Sequence, residues 1–252
     1  MTRSVYARGF GLLPVLCAIA APLAAQTYSV LKRFGGTDGA LPFAPLTQGL
    51  DGKLYSSTES GGTAGVGTIF KISPQGGFTS IYNFCAASGC PDGSTPTGAL
   101  ALGTDGLFYG VAHLGGSNGS GTIFKISSTG SIVKMHDFCA ADLCPDGAQP
   151  LGGLTLALGG NLFGTTEDGG ANGNAGTVFK ITPGGRLTSL HSFCAVANCD
   201  DGNFLNSGVV KRNWGLTTGT LSASSNRISR NREWTSAYAL SSQPFRMRTG
   251  WR

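Results

Sequence analysis

Charge is scarce in this chain: only 12% of its 252 residues are Asp, Glu, Lys or Arg. Proline is scarce too, at 11, and the 41 glycines follow no three-residue period, which excludes a collagen-like chain. Helical periodicity is absent. So much glycine also disfavours long helices, because each interior glycine costs about 1 kcal/mol relative to alanine. Beyond residue 25 no apolar stretch is long enough to span a membrane. There is no G-x-S-x-G, no H-E-x-x-H, no P-loop and no Rossmann glycine fingerprint, which lowers an enzymatic reading without removing it. The paired carboxylates Glu167-Asp168 occur once, and neighbours on a strand point to opposite faces. Disorder is excluded by a hydrophobic content of 40%. What remains is a turn-rich β protein.

The net charge of +5 hides two regions of opposite sign. Residues 26–207 carry 12 acidic and 8 basic side chains. Residues 208–252 carry 8 basic side chains and the single acid Glu233. The main body therefore offers no basic surface for nucleic acid. The excess belongs to a basic tail joined to a mildly acidic domain.

Arg3 and Arg8 precede an uncharged run from Phe10 to Ala25, and Ala24-Ala25 place small residues before Gln26. This is the pattern of a cleaved secretory signal peptide over residues 1–25. The run is short for a span and holds Pro14 and Pro22. Cys17 does not read as a lipid attachment site, because Pro14-Val15-Leu16 lacks the small residues needed. The expected address is export, to the cell surface, the extracellular space or the periplasm, with no membrane span after signal cleavage.

With Cys17 removed, six cysteines remain in one spacing: Cys85-x4-Cys90, Cys139-x4-Cys144 and Cys194-x4-Cys199. An even count behind a signal peptide reads as local disulfides. Zinc is the rival, but structural zinc takes four ligands from close pairs, whereas these pairs sit one repeat apart. Each bridge closes a six-residue loop, worth about 2 kcal/mol by chain entropy.

The cysteines mark a period. Cys85 and Cys139 are 54 residues apart; Cys139 and Cys194 are 55. GTIFKIS (67–73) recurs at 121–127 and as GTVFKIT at 176–182. DGKLYSSTESGG (51–62) recurs as DGLFYGVAHLGG (105–116) and GGNLFGTTEDGG (159–170). CPDG (90–93) recurs at 144–147 and as CDDG at 199–202; the first copy has GGTDG (35–39), four residues shorter and without cysteine. The second copy predicts strands at Ala99–Leu102, Leu107–Ala112, Thr122–Ser127 and Ser131–Phe138, the first two joined by an Asp-Gly hairpin turn. Four antiparallel strands per ~50-residue repeat is the signature of a propeller blade, whose faces are buried only by stacking on its neighbours.

These strings resemble the GloVer-type (Gloeobacter/Verrucomicrobium) tandem repeat of exported bacterial proteins. The second copy carries the resemblance in Leu107-Phe108-Tyr109-Gly110, Gly115-Gly116 and Gly121–Lys125. The third carries it in Leu162-Phe163-Gly164-Thr165-Thr166, Gly169-Gly170 and Gly176–Lys180. The first departs at Ser56-Ser57. The resemblance covers roughly residues 28–210 and implies export, a propeller-like fold and a choice of surface anchors; it carries no activity and no catalytic residue. Kelch blades share the double glycine but want Tyr and Trp after it, and Trp214, Trp234 and Trp251 all lie in the tail.

The expected fold is all-β: tandem four-stranded antiparallel blades, β-propeller-like but incomplete, at about three and a third repeats. The repeats fall at about 28–84, 85–138 and 139–193, with a partial copy at 194–210, inside a domain of 26–210. After Val210 charge sign, arginine content and Trp usage switch together, so 211–252 is expected to be a disordered or aberrant basic tail. Open blades leave strand edges that invite self-association.

Three columns of repeat-equivalent residues are candidate sites. Lys71, Lys125 and Lys180 would form a basic ring for acidic polysaccharide, or merely face solvent. Glu59, His113 and Glu167 stand before the double glycine and would bind a metal only if three blades converged on a tight axis. Asp92, Asp146 and Asp201 suit calcium but equally suit Asp-Gly turns. Tyr82, His136 and His191 read as packing positions with polar tips. No catalytic residue, cofactor or metal is expected. The expected function is that of an exported surface or extracellular binding or structural module for a glycan or another protein. The alternatives are a propeller-type polysaccharide hydrolase or lyase, or a truncated fragment of a longer repeat protein without function of its own.

Overall fold

Short strands, nearly all buried in the second and third positions of each repeat and half-exposed in the fourth, are separated by glycine-rich turns that fold this chain into sheets. The structure is a computed structural model that describes residues 28–211, 216–220 and 235–239. The expected signal segment 1–25 lies outside the described residues. The chain divides into two units, Met1–Val30 and Leu31–Arg252. Among the described residues of the second unit no helix is long and apolar enough to cross a membrane.

Three four-stranded antiparallel sheets follow one another as blades. Blade 1 consists of β1 (Thr47–Gln48), β2 (Leu54–Thr58), β3 (Thr68–Ile72) and β4 (Phe78–Asn83). Blade 2 consists of β5 (Ala101–Leu102), β6 (Phe108–Ala112), β7 (Thr122–Ile126) and β8 (Ile132–Asp137). Blade 3 consists of β9 (Thr155–Leu156), β10 (Leu162–Thr166), β11 (Thr177–Ile181) and β12 (Leu187–Ser192). In each, strand order equals chain order. A fourth sheet, β13 (Val210–Lys211), β14 (Leu216–Thr220) and β15 (Thr235–Ala239), has three strands among the described residues. It crosses the boundary at Val210 where the repeat was expected to end.

The repeats share their irregularities as well as their strands. A β-bulge shifts register at Ile69/Phe70, at Ile123/Phe124 and at Val178/Phe179, always between the third and fourth strands. The bulge lets two residues of the outer strand face one of its neighbour and bends the blade edge.

The core lies between blades. Tyr55, Ile69 and Phe84 of the first repeat cluster with Leu100, Phe108, Phe124 and Ile126 of the second. Tyr109, Val111, Ile123 and Phe138 cluster with Leu154, Leu162, Phe179 and Ile181 in the same way. Both faces of the third strand are consequently buried: Ile123 and Phe124 are each within 1% of full burial. Tyr55 stacks on Phe108 with ring centroids 4.2 Å apart. Gly110 and Gly164 leave the space that the rings of Phe124 and Phe179 fill; a Cβ on either would lie 2.5 Å from the ring. Residues 194–209 extend the stack, since Leu205 is fully buried with Phe193 and Ala175.

Candidate functional site

The spacing that suggested disulfides produces them. Cys85–Cys90, Cys139–Cys144 and Cys194–Cys199 are bridged, with Cα atoms 4.1, 4.1 and 4.0 Å apart. Both cysteines of every pair have positive φ, from 47° to 63°. That region disfavours side chains by roughly 1–2 kcal/mol per residue, so something must hold them there. The bridge is one restraint. The other is the aspartate that follows.

Asp92 accepts the Tyr82 hydroxyl at 2.7 Å and the Cys85 N–H at 3.0 Å. Asp146 pairs with His136 Nε2 at 2.8 Å and accepts the Cys139 N–H at 3.2 Å. Asp201 pairs with His191 Nε2 at 3.1 Å and accepts the Ala195 N–H at 3.1 Å. Beside each donor stands a phenylalanine edge-on: Phe84, Phe138 and Phe193, at 5.2, 5.0 and 4.7 Å. Burial and the Asp92 carboxylate raise the Tyr82 phenol well above its usual value. The aspartates proposed for calcium are thus engaged in bracing the cysteine loops. The packing reading of Tyr82, His136 and His191 needs this addition: the polar tip of each has a fixed partner ten residues on.

A second bond of the same kind opens two blades. Tyr55 donates to Asp51 at 2.9 Å, and Tyr109 to Asp105 at 2.7 Å. Burial pushes the Asp105 carboxyl up, but the bonds from Tyr109 and the Leu107 N–H outweigh it and hold the group below its ordinary value. Burial and this carboxylate push Tyr109 up to about 12. In blade 3 both partners are missing together, replaced by Phe163 and Gly159.

The lysine column works between blades. Lys71 Nζ donates to the Ser128 carbonyl at 2.9 Å, and Lys125 Nζ to the Pro183 carbonyl at 3.3 Å. Each lysine therefore reaches the outer turn of the following blade. Lys180, half-buried, has no such bond among the described residues.

Glu59, His113 and Glu167 occupy equivalent strand ends. Their N–H groups donate to the carbonyls of Leu41, Thr95 and Gln149, each held at positive φ. Burial lowers the His113 pKa, and the nearby charges of Glu167 and Glu59 oppose the shift only in part. Its Nδ1 is buried without a hydrogen-bond partner. Among the described residues no three His, Cys, Asp or Glu side chains are grouped to hold a metal ion.

The bracing leaves the loop tips outward. Leu143 is 90% exposed and Val196 50% exposed. Between the loop 142–145 and the loop 170–174 lies a groove of about 450 Å³, lined by Asp142, Leu143, Pro145, Gly170, Ala171 and Asn174 among others. The sequence reading did not find it, because it joins segments that lie about 30 residues apart.

The description Gloeobacter/Verrucomicrobia repeat belongs to a family model that matches residues 20–229, reaching past Val210. No match was found among curated proteins. Among solved structures the chain is similar to a candidate gluconolactonase, at 15% identity and a TM-score of 0.44. That likeness covers 71% of this chain and 55% of the other. It is similar to a luciferin-regenerating enzyme at 14% identity and TM-score 0.47, covering 71% and 53%. It is also similar to the extracellular domain of a candidate hybrid two-component system from B. thetaiotaomicron, at 13% identity and TM-score 0.46, covering 69% and 19%. The chain thus spans about half the length of the first two structures it matches. The blade architecture rests on this chain's own sheets.

Proposed function

This chain belongs to the Gloeobacter/Verrucomicrobia repeat family, and from that premise we propose that it is an exported binding or structural module acting at the cell surface or outside the cell. Its ligand is a glycan or another protein, received along the row of disulfide-closed loop tips.

One observation carries this reading. What repeats from blade to blade is scaffold, and what differs is the exposed tip. The Phe, Asp and Gly positions recur, while the tips read AASG, AADL and AVAN between the cysteines. Binding residues concentrate on loops that a rigid scaffold positions. The three disulfides support an oxidising compartment. The lysine and aspartate columns are largely engaged in holding blades and loops, which favours binding over catalysis.

The test has two arms. Alkylation without reductant of protein from the native host should label none of the six repeat cysteines, and the protein should appear in the exported fraction. A reduced, cytosolic protein would overturn the reading. On a glycan array and against surface-protein extracts, the double variant Asp142→Ser, Leu143→Gly should lose binding while its melting temperature does not fall, since glycine suits the positive φ of 64° at position 143. Unchanged binding would remove the tips as the recognition surface.

A further inference from the structure

One of the three cysteine loops carries a strain that the other two avoid. Each turns at positive φ just before its second cysteine. In the loop 85–90 that position is Gly89, at 82°, and in the loop 194–199 it is Asn198, at 61°. Glycine and asparagine suit this region. In the loop 139–144 it is Leu143, at 64°, a conformation that bulky side chains rarely adopt. The Leu143 side chain is 90% exposed, so packing does not offset the cost. The nearest restraint on it is the Cys139–Cys144 bridge, whose second sulfur belongs to the very next residue.

The same loop is one wall of the groove. Cys144 lines it together with Asp142, Leu143 and Pro145. The Cys144 carbonyl accepts the Gly147 N–H at 2.9 Å and, from the opposite wall, the Gly170 N–H at 2.8 Å. Gly169 lies so close that a Cβ there would meet that carbonyl at 2.7 Å. The two walls therefore join at one cysteine. Cys139 and Cys144 are half-buried in a loop whose other residues, 140–143, are exposed, within reach of small thiols. The entropy gained by closing so short a loop is no larger than the cost of holding Cys139, Leu143 and Cys144 at positive φ. Exposed bridges that work against the backbone are the labile ones.

We propose that the Cys139–Cys144 bridge is a redox latch on the groove, which on the reading of the loop tips as the recognition surface makes binding depend on the oxidised state. A dithiol in the surroundings opens the bridge, Leu143 and Cys144 relax to negative φ, and Gly170 loses its acceptor. In the exchange a thiolate of the dithiol attacks one bridge sulfur and forms a mixed disulfide, which its second thiol then displaces. The bridge gains two electrons and two protons and becomes two thiols; the dithiol leaves as a disulfide of its own. The blades stay folded, because their core lies between sheets and away from the bridge.

The experiment titrates the oxidised full chain with dithiothreitol, reading thiols by alkylation and mass spectrometry and amides by hydrogen exchange. Cys139–Cys144 should open at about tenfold less dithiol than the other two bridges, the effect of one strained residue. Gly147 and Gly170 should then lose protection, while Gly116, which donates to the Cys90 carbonyl, and the amides of β6 and β7 keep theirs. Leu143→Gly should bring the midpoint of its bridge to that of the other two. Cys139→Ser with Cys144→Ser should expose the Gly170 amide without reductant. Three bridges that open together overturn the proposal, as does a Gly170 amide that stays protected once its bridge is open. Loss of protection in β6 and β7 alongside Gly170 also overturns it, since the bridge would then be a staple of the fold. Failure of the recognition surface is told apart by the oxidised Asp142→Ser, Leu143→Gly variant on the glycan array, a readout that does not involve the bridge.

Discussion

The first loop and the three cysteine loops reach one geometry by two routes. In the first, Gly36 takes φ of 92°, accepts the Gly39 N–H at 3.2 Å and the Gly62 N–H at 2.8 Å. In the next, Cys90 takes φ of 50°, accepts the Gly93 N–H at 2.9 Å and the Gly116 N–H at 2.8 Å. Glycine enters the left-handed region without steric cost. Cysteine does not, and is held there by its bridge and by the aspartate on the neighbouring turn. The comparison teaches that the aspartate is the common element, present as Asp38, Asp92, Asp146 and Asp201, while the disulfide is what a longer loop with side chains requires.

The comparison is broken most severely at the aromatic that both routes share. Phe138 is fully buried between blades, so Phe138→Ala should cost about 3–5 kcal/mol. Phe34→Ala, at a half-buried position, should cost clearly less in the dilute protein. Denaturant titration of both variants checks the difference.

Removing a bridge comes next. Cys139→Ser with Cys144→Ser should cost about 2 kcal/mol by chain entropy. Reductant should loosen all three cysteine loops while the Gly36 loop keeps its amide protection. Equal loosening at Gly62 and Gly170 would mean that the two routes are not independent.

Tyr109→Phe should cost about 1 kcal/mol, the net value of one hydrogen bond. Blade 3 already carries the matching pair of changes, so Tyr109→Phe combined with Asp105→Gly should cost less than the two single losses added. The pH dependence of the Asp105 share follows from its lowered pKa. That share is present above the ordinary value of 3.8 and is lost as pH falls through the lower folded value.

The smallest effect belongs to His113, where blades 1 and 3 have Glu59 and Glu167. Its folded pKa is lowered by burial, so the folded chain favours the neutral ring. The stability linked to it is present above the ordinary histidine value of 6.5 and is lost as pH falls below that. His113→Gln should flatten the fall in melting temperature between about pH 7 and 5, the window in which an ordinary histidine titrates. An unchanged slope would show that His113 does not drive it.

Much of this was legible in the residues. The 54–55-residue period, the four strands per copy and the local cysteine pairing were all readable, because turn glycines and strand alternation act over a few residues. The Tyr82–Asp92, His136–Asp146 and His191–Asp201 pairs were missed, although one spacing of ten repeats three times. Lys32–Asp38 hides behind the four-residue deletion. The lysine bonds to Ser128 and Pro183 were out of reach, since their partners lie 57 and 58 residues along the chain.

By itself, then, the sequence determined what is local: strand, turn and bridge, each set by conformational preferences of neighbouring residues. Only the tertiary structure decided which face is buried. Leu46 and Leu100 occupy the same place in the same motif, and one lies open while the other is sealed. The reason is physical: a blade buries nothing alone, so burial is a property of the neighbour that stacks on it.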